Sequence, residues 1–284
     1  PIETAMTEKT FFSPWLKDLK KFANVGEQLT TILRNHNKNF ELIPAANDIW
    51  VRDFMPIQRH DGKLIIYTYR PDYLEGDKGR YITDCREALI SVNKDDVLAP
   101  QSVIETDLVI DGGNAVKCID KDGKRCVIMT TKVLYENPQL SHSETISKLS
   151  TIFDADIILI PWDTDEPFGH SDGMVRALSP GKLLLNNYCE SAPKFNYALK
   201  LALEPRFEIA QLQYGDKSRE KSWCHINYLE LSDLILVPTA SLASDKLALQ
   251  QIESLTGKKC LPVSMAPIVA DGGAMHCISW TLRN

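Results

Sequence analysis

The chain alternates between short apolar runs and polar, glycine-containing turns, in a pattern that recurs along most of its length. In the clearest copy, a polar segment at 111–115 leads into a strand-like run, residues 120–124 form a turn, and residues 127–129 return. Two strand-like runs separated by such a turn are typical of a β-hairpin. The same pattern predicts hairpins at 47–67, 169–185 and 225–237, and a fifth, incomplete copy at 271–280.

Helical patterns lie between the predicted hairpins. Ser141 and Glu144 have the spacing of a capping box, which predicts the start of one helix there. Two further apolar-periodic runs begin near 193 and 245 and predict two more helices. An N-terminal helical element is predicted for 13–33, either as one helix or as two helices interrupted near Gly26.

The order of these elements is strand, strand, helix, strand, and then the order repeats. This order predicts an α/β fold of modules arranged around an axis, and it disfavours a doubly wound sheet. An acid or an asparagine leads each copy, at intervals of 44 to 61 residues: Asp53, Asp111, Asp172, Asn227 and Asp271. If the repeat closes on itself, these five leading residues converge near the axis. No boundary or linker interrupts the pattern, so we expect residues 1–284 to form a single catalytic domain.

The composition narrows the classes of partner. The formal net charge is −6 and no long block of lysine or arginine occurs, which makes nucleic acid an unfavourable partner. No apolar run approaches the length of a membrane span, and no signal segment is evident, so we expect a cytoplasmic protein without a membrane partner. The seven cysteines contain no C-x-x-C pair, which argues against a disulfide framework and a structural zinc module. A homo-oligomer is left open.

Cys277 follows two glycines near the end of the chain, in a setting that predicts a thiol on or beside a strand after a sharp bend. Taken alone, such a cysteine is more often a small buried apolar side chain than a nucleophile. If the segment is a strand, His276 points to the opposite face and cannot be the base for Cys277. His170, flanked by polar and glycine residues, is the better candidate for that base.

The acids supply the rest of the predicted site. His170 and Asp172 share one face if their segment is extended, and Asp111 could orient the imidazole of His170. Two carboxylates, Asp53 and Asp172, would repel a developing oxyanion beside the thiol, but they suit a planar cation with several donors. The predicted partner is therefore a small cationic guanidine substrate, and the chemistry needs no metal and no other cofactor.

Four segments resemble the signature segments of the agmatine deiminase and bacterial peptidylarginine deiminase family, in the same order. They are WVRDFMP at 50–56, DGGN at 111–114, GHSD at 169–172 and GGAMHCIS at 272–279. The resemblance implies a five-bladed α/β propeller of ββαβ-type modules with pseudo-fivefold symmetry. It also implies hydrolysis of the guanidine to a ureido product and ammonia through a covalent thiouronium on the cysteine.

The resemblance also implies a role for each site residue. Cys277 is expected to be the nucleophile, His170 the acid and base, and Asp111 the partner of His170. Asp53 and Asp172 are expected to hold the guanidinium, and Trp50 to line the pocket.

The sequence departs from the family pattern at Met55, Asp111 and Ala274, where the family usually has glycine, glutamate and asparagine. These departures concern the substrate more than the chemistry. Arg70 is a candidate partner for a substrate carboxylate, which would favour free or peptidyl arginine over agmatine. A solvated surface arginine is the alternative interpretation of Arg70.

Other functions remain open at this stage. A relative could bind guanidines without catalysis, or transfer the amidino group to an amine instead of water. A metal site built from His170, Asp172 and Cys277 is a further alternative, since mixed nitrogen, oxygen and sulfur ligands occur in proteins.

Overall fold

The computed structural model describes residues 8–92, 102–163, 168–215 and 222–283. Its strands form five three-stranded sheets, and in each sheet an antiparallel pair is extended by a parallel third strand. The strands are β1 (Glu8–Phe12), β2 (Asn39–Leu42), β3 (Ile57–Gln58), β4 (Leu64–Thr68), β5 (Val103–Val109), β6 (Val116–Ile119), β7 (Arg125–Thr130), β8 (Asp156–Ile160), β9 (Val175–Ser179), β10 (Lys182–Leu185), β11 (Glu208–Gln211), β12 (Leu229–Glu230), β13 (Leu234–Thr239), β14 (Lys259–Ser264) and β15 (Trp280–Arg283).

The predicted hairpins are confirmed, because β3 and β4, β6 and β7, β9 and β10, and β12 and β13 all pair antiparallel. Local turn chemistry explains the β6–β7 hairpin. Gly123 adopts a φ of +79°, and Asp120 Oδ1 accepts the backbone N–H groups of Asp122 and Lys124 at 2.9 and 2.8 Å. Short polar side chains that bond to their own backbone in this way favour a turn over a continuing strand.

Helices connect the second and third strands of most sheets. The capping box is confirmed, with Glu144 N donating to Ser141 Oγ and the Glu144 side chain accepting from Ser141 N. The helices are α1 (Trp15–Asp18), α2 (Ala23–Asn35), α3 (Val51–Phe54), α4 (Cys85–Val92), α5 (Lys132–Tyr135), α6 (His142–Phe153), α7 (Tyr188–Ser191), α8 (Pro193–Leu203), α9 (Asp245–Thr256) and α10 (Ala266–Ala270). None of the helices in the described ranges is long and apolar enough to span a membrane.

The N-terminal element differs in detail from its prediction. It is two helices, but the break lies between Asp18 and Ala23, and Gly26 lies inside α2. A Cβ atom on Gly26 would come within 2.8 Å of the carbonyl oxygen of Leu16, so the glycine allows α1 and α2 to pack closely. The sequence analysis considered a helix break near Gly26, whereas the structure has a close approach of two helices there.

The first and last strands of the described chain lie in one sheet. Strand β1 pairs antiparallel with β15 and parallel with β2. Trp280 at the start of β15 is 1% exposed, and its indole N–H donates to the carbonyl oxygen of Pro56 at 2.7 Å. This bond ties the segment after Cys277 to the segment after Asp53, and it therefore helps to position two candidate site residues.

A tight helical or turn segment precedes the first strand of each antiparallel pair. Helix α3 precedes β3, single helical turns precede the next three, and residues 275–278 form a turn before β15. The turns are Gly112–Asn114 before β6, Ser171–Gly173 before β9 and Ser222–Ile226 before β12. Of the residues that we predicted to lead the modules, Asp53 and Asp172 lie within these segments, Asp111 and Asn227 directly flank them, and Asp271 lies outside.

We expect Ser141→Ala to lower the free energy of unfolding by about 1 kcal/mol, because α6 then loses its N-terminal cap. The melting temperature should fall by about 2–4 °C in a thermal scan. Ser147→Ala is the matched control, since Ser147 is an exposed serine within the same helix. Equal effects of the two substitutions would contradict the assigned role of the cap.

Candidate active site

His170 lies between two carboxylates from different modules. Its Nε2 atom is 2.8 Å from Asp111 Oδ2, and its Nδ1 atom is 3.5 Å from Asp53 Oδ1. All three side chains are buried. Burial opposes the charge of the imidazole, but the negative charges of Asp53 and Asp111 outweigh this effect and raise the pKa of His170 to about 10. His170 is therefore an imidazolium at neutral pH.

Gly113 allows this approach. Its N–H donates to Asp53 Oδ1 at 3.1 Å, and a Cβ atom at this position would lie within 2.8 Å of both Asp53 Oδ1 and His170 Nδ1. Real Cβ atoms do not approach other atoms so closely, so no other residue fits here without a shift of the site. The DGGN segment thus supplies both a carboxylate and the space that the imidazole occupies.

Asp111 has further partners that sequence reasoning missed. Lys132 Nζ lies 3.5 Å from Asp111 Oδ2 and 3.1 Å from Glu136 Oε1, and its side chain is 2% exposed. The Tyr73 hydroxyl donates to Asp111 Oδ2 at 3.3 Å. Burial works against the charge of Lys132, but the charges of Asp111 and Glu136 offset it and raise the lysine pKa. No local signal marks this lysine, because a lysine at a helix start usually faces solvent.

Cys277 lies in a turn that Asn227 fixes from another module. Asn227 Oδ1 accepts the backbone N–H groups of His276 and Cys277 at 3.0 and 3.2 Å, and Arg52 N donates to the carbonyl oxygen of Cys277 at 3.0 Å. Asn227 is 1% exposed. Sequence reasoning identified it as a leading residue but gave it no task, and its position in the repeat was the available signal.

Asp172 lies beside the thiol and is held from behind by His276. Asp172 Oδ2 is 4.0 Å from Cys277 Sγ and 2.6 Å from His276 Nδ1. Burial, together with the charges of Arg52 and Arg176, lowers the pKa of His276 to about 3, so the ring is neutral and its Nδ1–H donates. Burial alone would raise the pKa of Asp172, but the bond from His276 and the charge of His170 lower it. Asp172 is therefore a carboxylate.

Two expectations about this segment need correction. The strand argument placed His276 away from the site, whereas residues 275–278 form a turn and His276 binds Asp172 directly. The prediction that Asp271 joins the other leading residues is wrong, because its exposed carboxylate pairs with Lys21 Nζ at 2.5 Å. The local glycine pattern resembles that of the other modules. In this module, however, the residue that contacts a site carboxylate is His276, in the turn at 275–278, and not Asp271.

The environment of Cys277 disfavours a thiolate. Burial, followed by the negative charges of Asp172 and Asp53, raises the pKa of the thiol well above its usual value. Burial also raises the pKa of Asp53 to about 7. A cation between these groups would stabilise both ionised forms, since an opposite charge within a few ångströms favours the charged state.

Two cavities meet at Cys277 and share His170, Phe168 and Gly272. One has a volume of about 160 Å³ and is also lined by Asp48, Trp50 and Asp53. The other has a volume of about 290 Å³ and is also lined by Asp172, Asn187 and Trp223. The geometry thus brings together six of the seven predicted site residues: Trp50, Asp53, Asp111, His170, Asp172 and Cys277.

Trp50 packs across a glycine in the wall of the smaller cavity. A Cβ atom on Gly273 would come within 2.1 Å of the Trp50 ring. Phe168 and Tyr73 form an edge-to-face pair with their centroids 5.0 Å apart, and Phe168 also lines both cavities. The glycines beside Cys277 therefore make room for aromatic walls.

Arg70 does not join this cluster. It is exposed after β4 and does not line either cavity, so its placement gives no support to the prediction of a substrate contact. Ala274 is fully buried in an apolar core cluster, and Met55 is fully buried with its carbonyl oxygen accepting from the Tyr67 hydroxyl at 2.9 Å. Neither residue lines the cavities beside Cys277.

Within the described ranges, no group of three or more histidine, cysteine, aspartate or glutamate side chains is arranged to hold a metal ion.

Comparisons with known proteins agree on one family. A protein of Enterococcus faecalis (strain ATCC 700802 / V583) named "Putative agmatine deiminase" is 24% identical over 279 residues, which cover 83% of this chain and 74% of that protein. The structure of C. jejuni agmatine deiminase superposes with a TM-score of 0.69 at 16% identity, over 97% of this chain and 92% of that one. Agmatine deiminase of E. faecalis superposes with a TM-score of 0.68 at 19% identity, over 97% and 93% of the chains.

These structural similarities show that the chain has the mixed α/β fold of the agmatine and peptidyl-arginine deiminases. Residues 18–282 match the family described as Porphyromonas-type peptidyl-arginine deiminase, and the chain therefore belongs to that family.

Proposed function

We propose that the protein is a deiminase that hydrolyses a small cationic guanidine, with agmatine as the first candidate, to a ureido product and ammonia. The observation that carries this proposal is that Cys277, His170, Asp53 and Asp172 line one pair of cavities, with Asp111 buried against His170. A guanidinium is a planar cation with five N–H donors, which suits carboxylates placed on two sides. The family relationship supports the same reaction class.

The first step follows from the charges. A guanidinium held by Asp53 and Asp172 lowers the pKa of the neighbouring Cys277 thiol, which loses its proton to solvent. The thiolate then attacks the guanidinium carbon and forms a carbon–sulfur bond. The imidazolium of His170 donates its proton to the departing nitrogen, the carbon–nitrogen bond breaks, and ammonia leaves.

The second step uses His170 as a base. After the first step the ring is neutral, and the product of attack is a thiouronium on Cys277. His170 takes a proton from water, and the hydroxide adds to the thiouronium carbon. The carbon–sulfur bond then breaks, the hydroxyl proton passes to the sulfur, and the ureido product leaves with Cys277 restored as a thiol. Asp111, 2.8 Å from Nε2, favours the protonated ring between turnovers. Water is the acceptor of the amidino group in this reaction. An amine in place of water would give amidinotransfer.

The proposed arrangement of the site fits a closed ring of modules. The first strands β3, β6, β9, β12 and β15 all contribute residues to one inner cavity, as expected if the five sheets surround a common axis. We therefore infer that the sheets form a five-bladed propeller, with the catalytic groups placed at the ends of its inner strands.

The choice between agmatine and arginine substrates depends on the substrate tail, the part beyond the guanidinium group. Asp48 lines the smaller cavity with Asp53 and Cys277, and burial raises its pKa to about 6. A carboxylate here suits a substrate with a second cation, such as the amine of agmatine. Lys78 lines the same cavity and is the residue that would suit the carboxylate of an arginine substrate. An ammonia-release screen over agmatine, arginine and arginine peptides separates these alternatives.

Cys277→Ala should lower ammonia release from the best substrate by about a thousandfold or more, because Cys277 is the only cysteine among the described residues that line the two cavities. Cys189→Ala is the matched control, since Cys189 is a partly exposed cysteine outside the cavity linings. Retained turnover in the Cys277 variant would contradict the proposed function.

The Cys277→Ala variant also permits a binding test without turnover. Asp53 has a pKa near 7, so it is neutral at low pH and becomes a carboxylate as the pH rises through 7. His170, with a pKa near 10, stays charged over the same interval. Agmatine affinity, measured by calorimetry, should therefore increase from pH 5.5 to pH 8, with Asp48, whose pKa is about 6, contributing the lower part of the rise and Asp53 the upper part. Asp53→Asn in the same background should bind weakly at every pH, and an affinity independent of pH before this substitution would refute the assignment.

Asp48→Asn should raise the KM for agmatine by about tenfold with little change in kcat, because one charge-assisted hydrogen bond to the tail is weakened. The KM for n-butylguanidine, which lacks the amine, should not change. If both KM values rise equally, Asp48 does not recognise the tail.

A further inference from the structure

A separate cavity of about 190 Å³ lies among the first strands of all five sheets, and neither Cys277 nor His170 lines it. Each first strand contributes at least one polar side chain to its wall. These residues are Gln58 from β3, Lys117 from β6, Arg176 from β9, Glu230 from β12 and Arg283 from β15, and Arg52 and His276 also line it. The wall therefore contains four side chains of permanent or near-permanent positive charge and one acid.

The acid is already neutralised, and so is one of the cations. Glu230 Oε1 pairs with Lys258 Nζ at 2.8 Å, and Arg283 Nε pairs with Glu8 Oε2 at 2.9 Å. The other three basic side chains of the wall are Arg52, Lys117 and Arg176. Asp172 lies behind His276 and offsets part of the charge of Arg52.

Within the described ranges, the three remaining cations have no close carboxylate. In the part of the chain that the structure describes, no carboxylate oxygen lies within 4.0 Å of the charged nitrogens of Arg52, Lys117 or Arg176. Arg176 stacks over the Tyr228 ring at 4.5 Å, and Arg52 Nε lies 3.5 Å from the His276 carbonyl oxygen. All three side chains are partly buried.

Repulsion among these cations contributes to a lowering of their pKa values. Burial, with the guanidinium groups of Arg283 and Arg52, lowers the pKa of Lys117 to about 8. Burial also lowers the pKa of Arg52 to about 10. Cations gathered in a partly buried cavity without counter-charges stabilise a bound anion, because each gains an interaction that water supplies poorly there.

We propose that this inner cavity is a binding site for a small oxyanion such as phosphate. Guanidinium forks and an ammonium group match an anion with several oxygens better than a single-atom anion. The excess of positive charge excludes a cationic guanidine, so the site is distinct from the catalytic cavities in ligand charge as well as in position. Two of its wall residues also contact the catalytic groups: His276 Nδ1 binds Asp172, and Arg52 N donates to the carbonyl oxygen of Cys277.

Calorimetric titration with inorganic phosphate tests the proposal, in the absence of any guanidine and against sodium chloride at equal ionic strength. We expect saturable binding with one phosphate per chain. Lys117→Met should weaken this binding by about tenfold, the effect expected for one charge-assisted contact. Lys63→Met is the matched control, because Lys63 is an exposed lysine in the turn before β4. This variant should bind phosphate with the affinity of the unaltered protein.

Arg176→Met gives an independent second variant with the same expected weakening, and equal melting temperatures show that both variants are folded. Absence of saturable binding in the unaltered protein would overturn the proposal. Unchanged binding in both folded variants would also overturn it, since phosphate would then occupy another site. Neither result depends on turnover, so a failure here is separate from a failure of the deiminase assignment.

Discussion

The site depends on negative charge that is buried beside two imidazole rings, those of His170 and His276. Asp53, Asp111 and Asp172 come from three modules, each is at most 5% exposed, and His170 lies within 3.5 Å of two of them. Carboxylates in such a place require counter-charges. The protein supplies His170 and Lys132 as cations, but Cys277 remains an unionised thiol in this field. In the proposed reaction, the cationic substrate balances this charge, and its binding therefore also activates the nucleophile.

Much of the fold was predictable because its signals are local. Hairpin turns such as 120–124 and the cap at Ser141 act within a few residues, so the sequence shows them directly. The convergence of Asp53, Asp111 and Asp172 was predictable from their equivalent places in the repeat. The role of Lys132 was not, because a buried lysine at a helix start differs from an exposed one only through partners distant in sequence, chiefly Asp111.

The segment around Cys277 shows where pattern reasoning failed. Alternation of side chains holds for a strand, but Asn227 holds residues 276 and 277 in a turn, which lets His276 reach Asp172. His276 thereby lies between two regions of opposite charge, with Asp172 and the catalytic cavities on one side and the cationic inner cavity on the other. The neutral ring separates the cation that the protein is proposed to process from the anion that it is proposed to hold.

The most direct test of the account is the identity of the covalent intermediate. Turnover with agmatine, quenched in acid within the first cycle and followed by peptide mass spectrometry, should show an adduct of agmatine minus ammonia. The account predicts this adduct on the peptide that contains Cys277, and its decay should match the release of the ureido product. An adduct on another residue, or ammonia release without any adduct on Cys277, would contradict it.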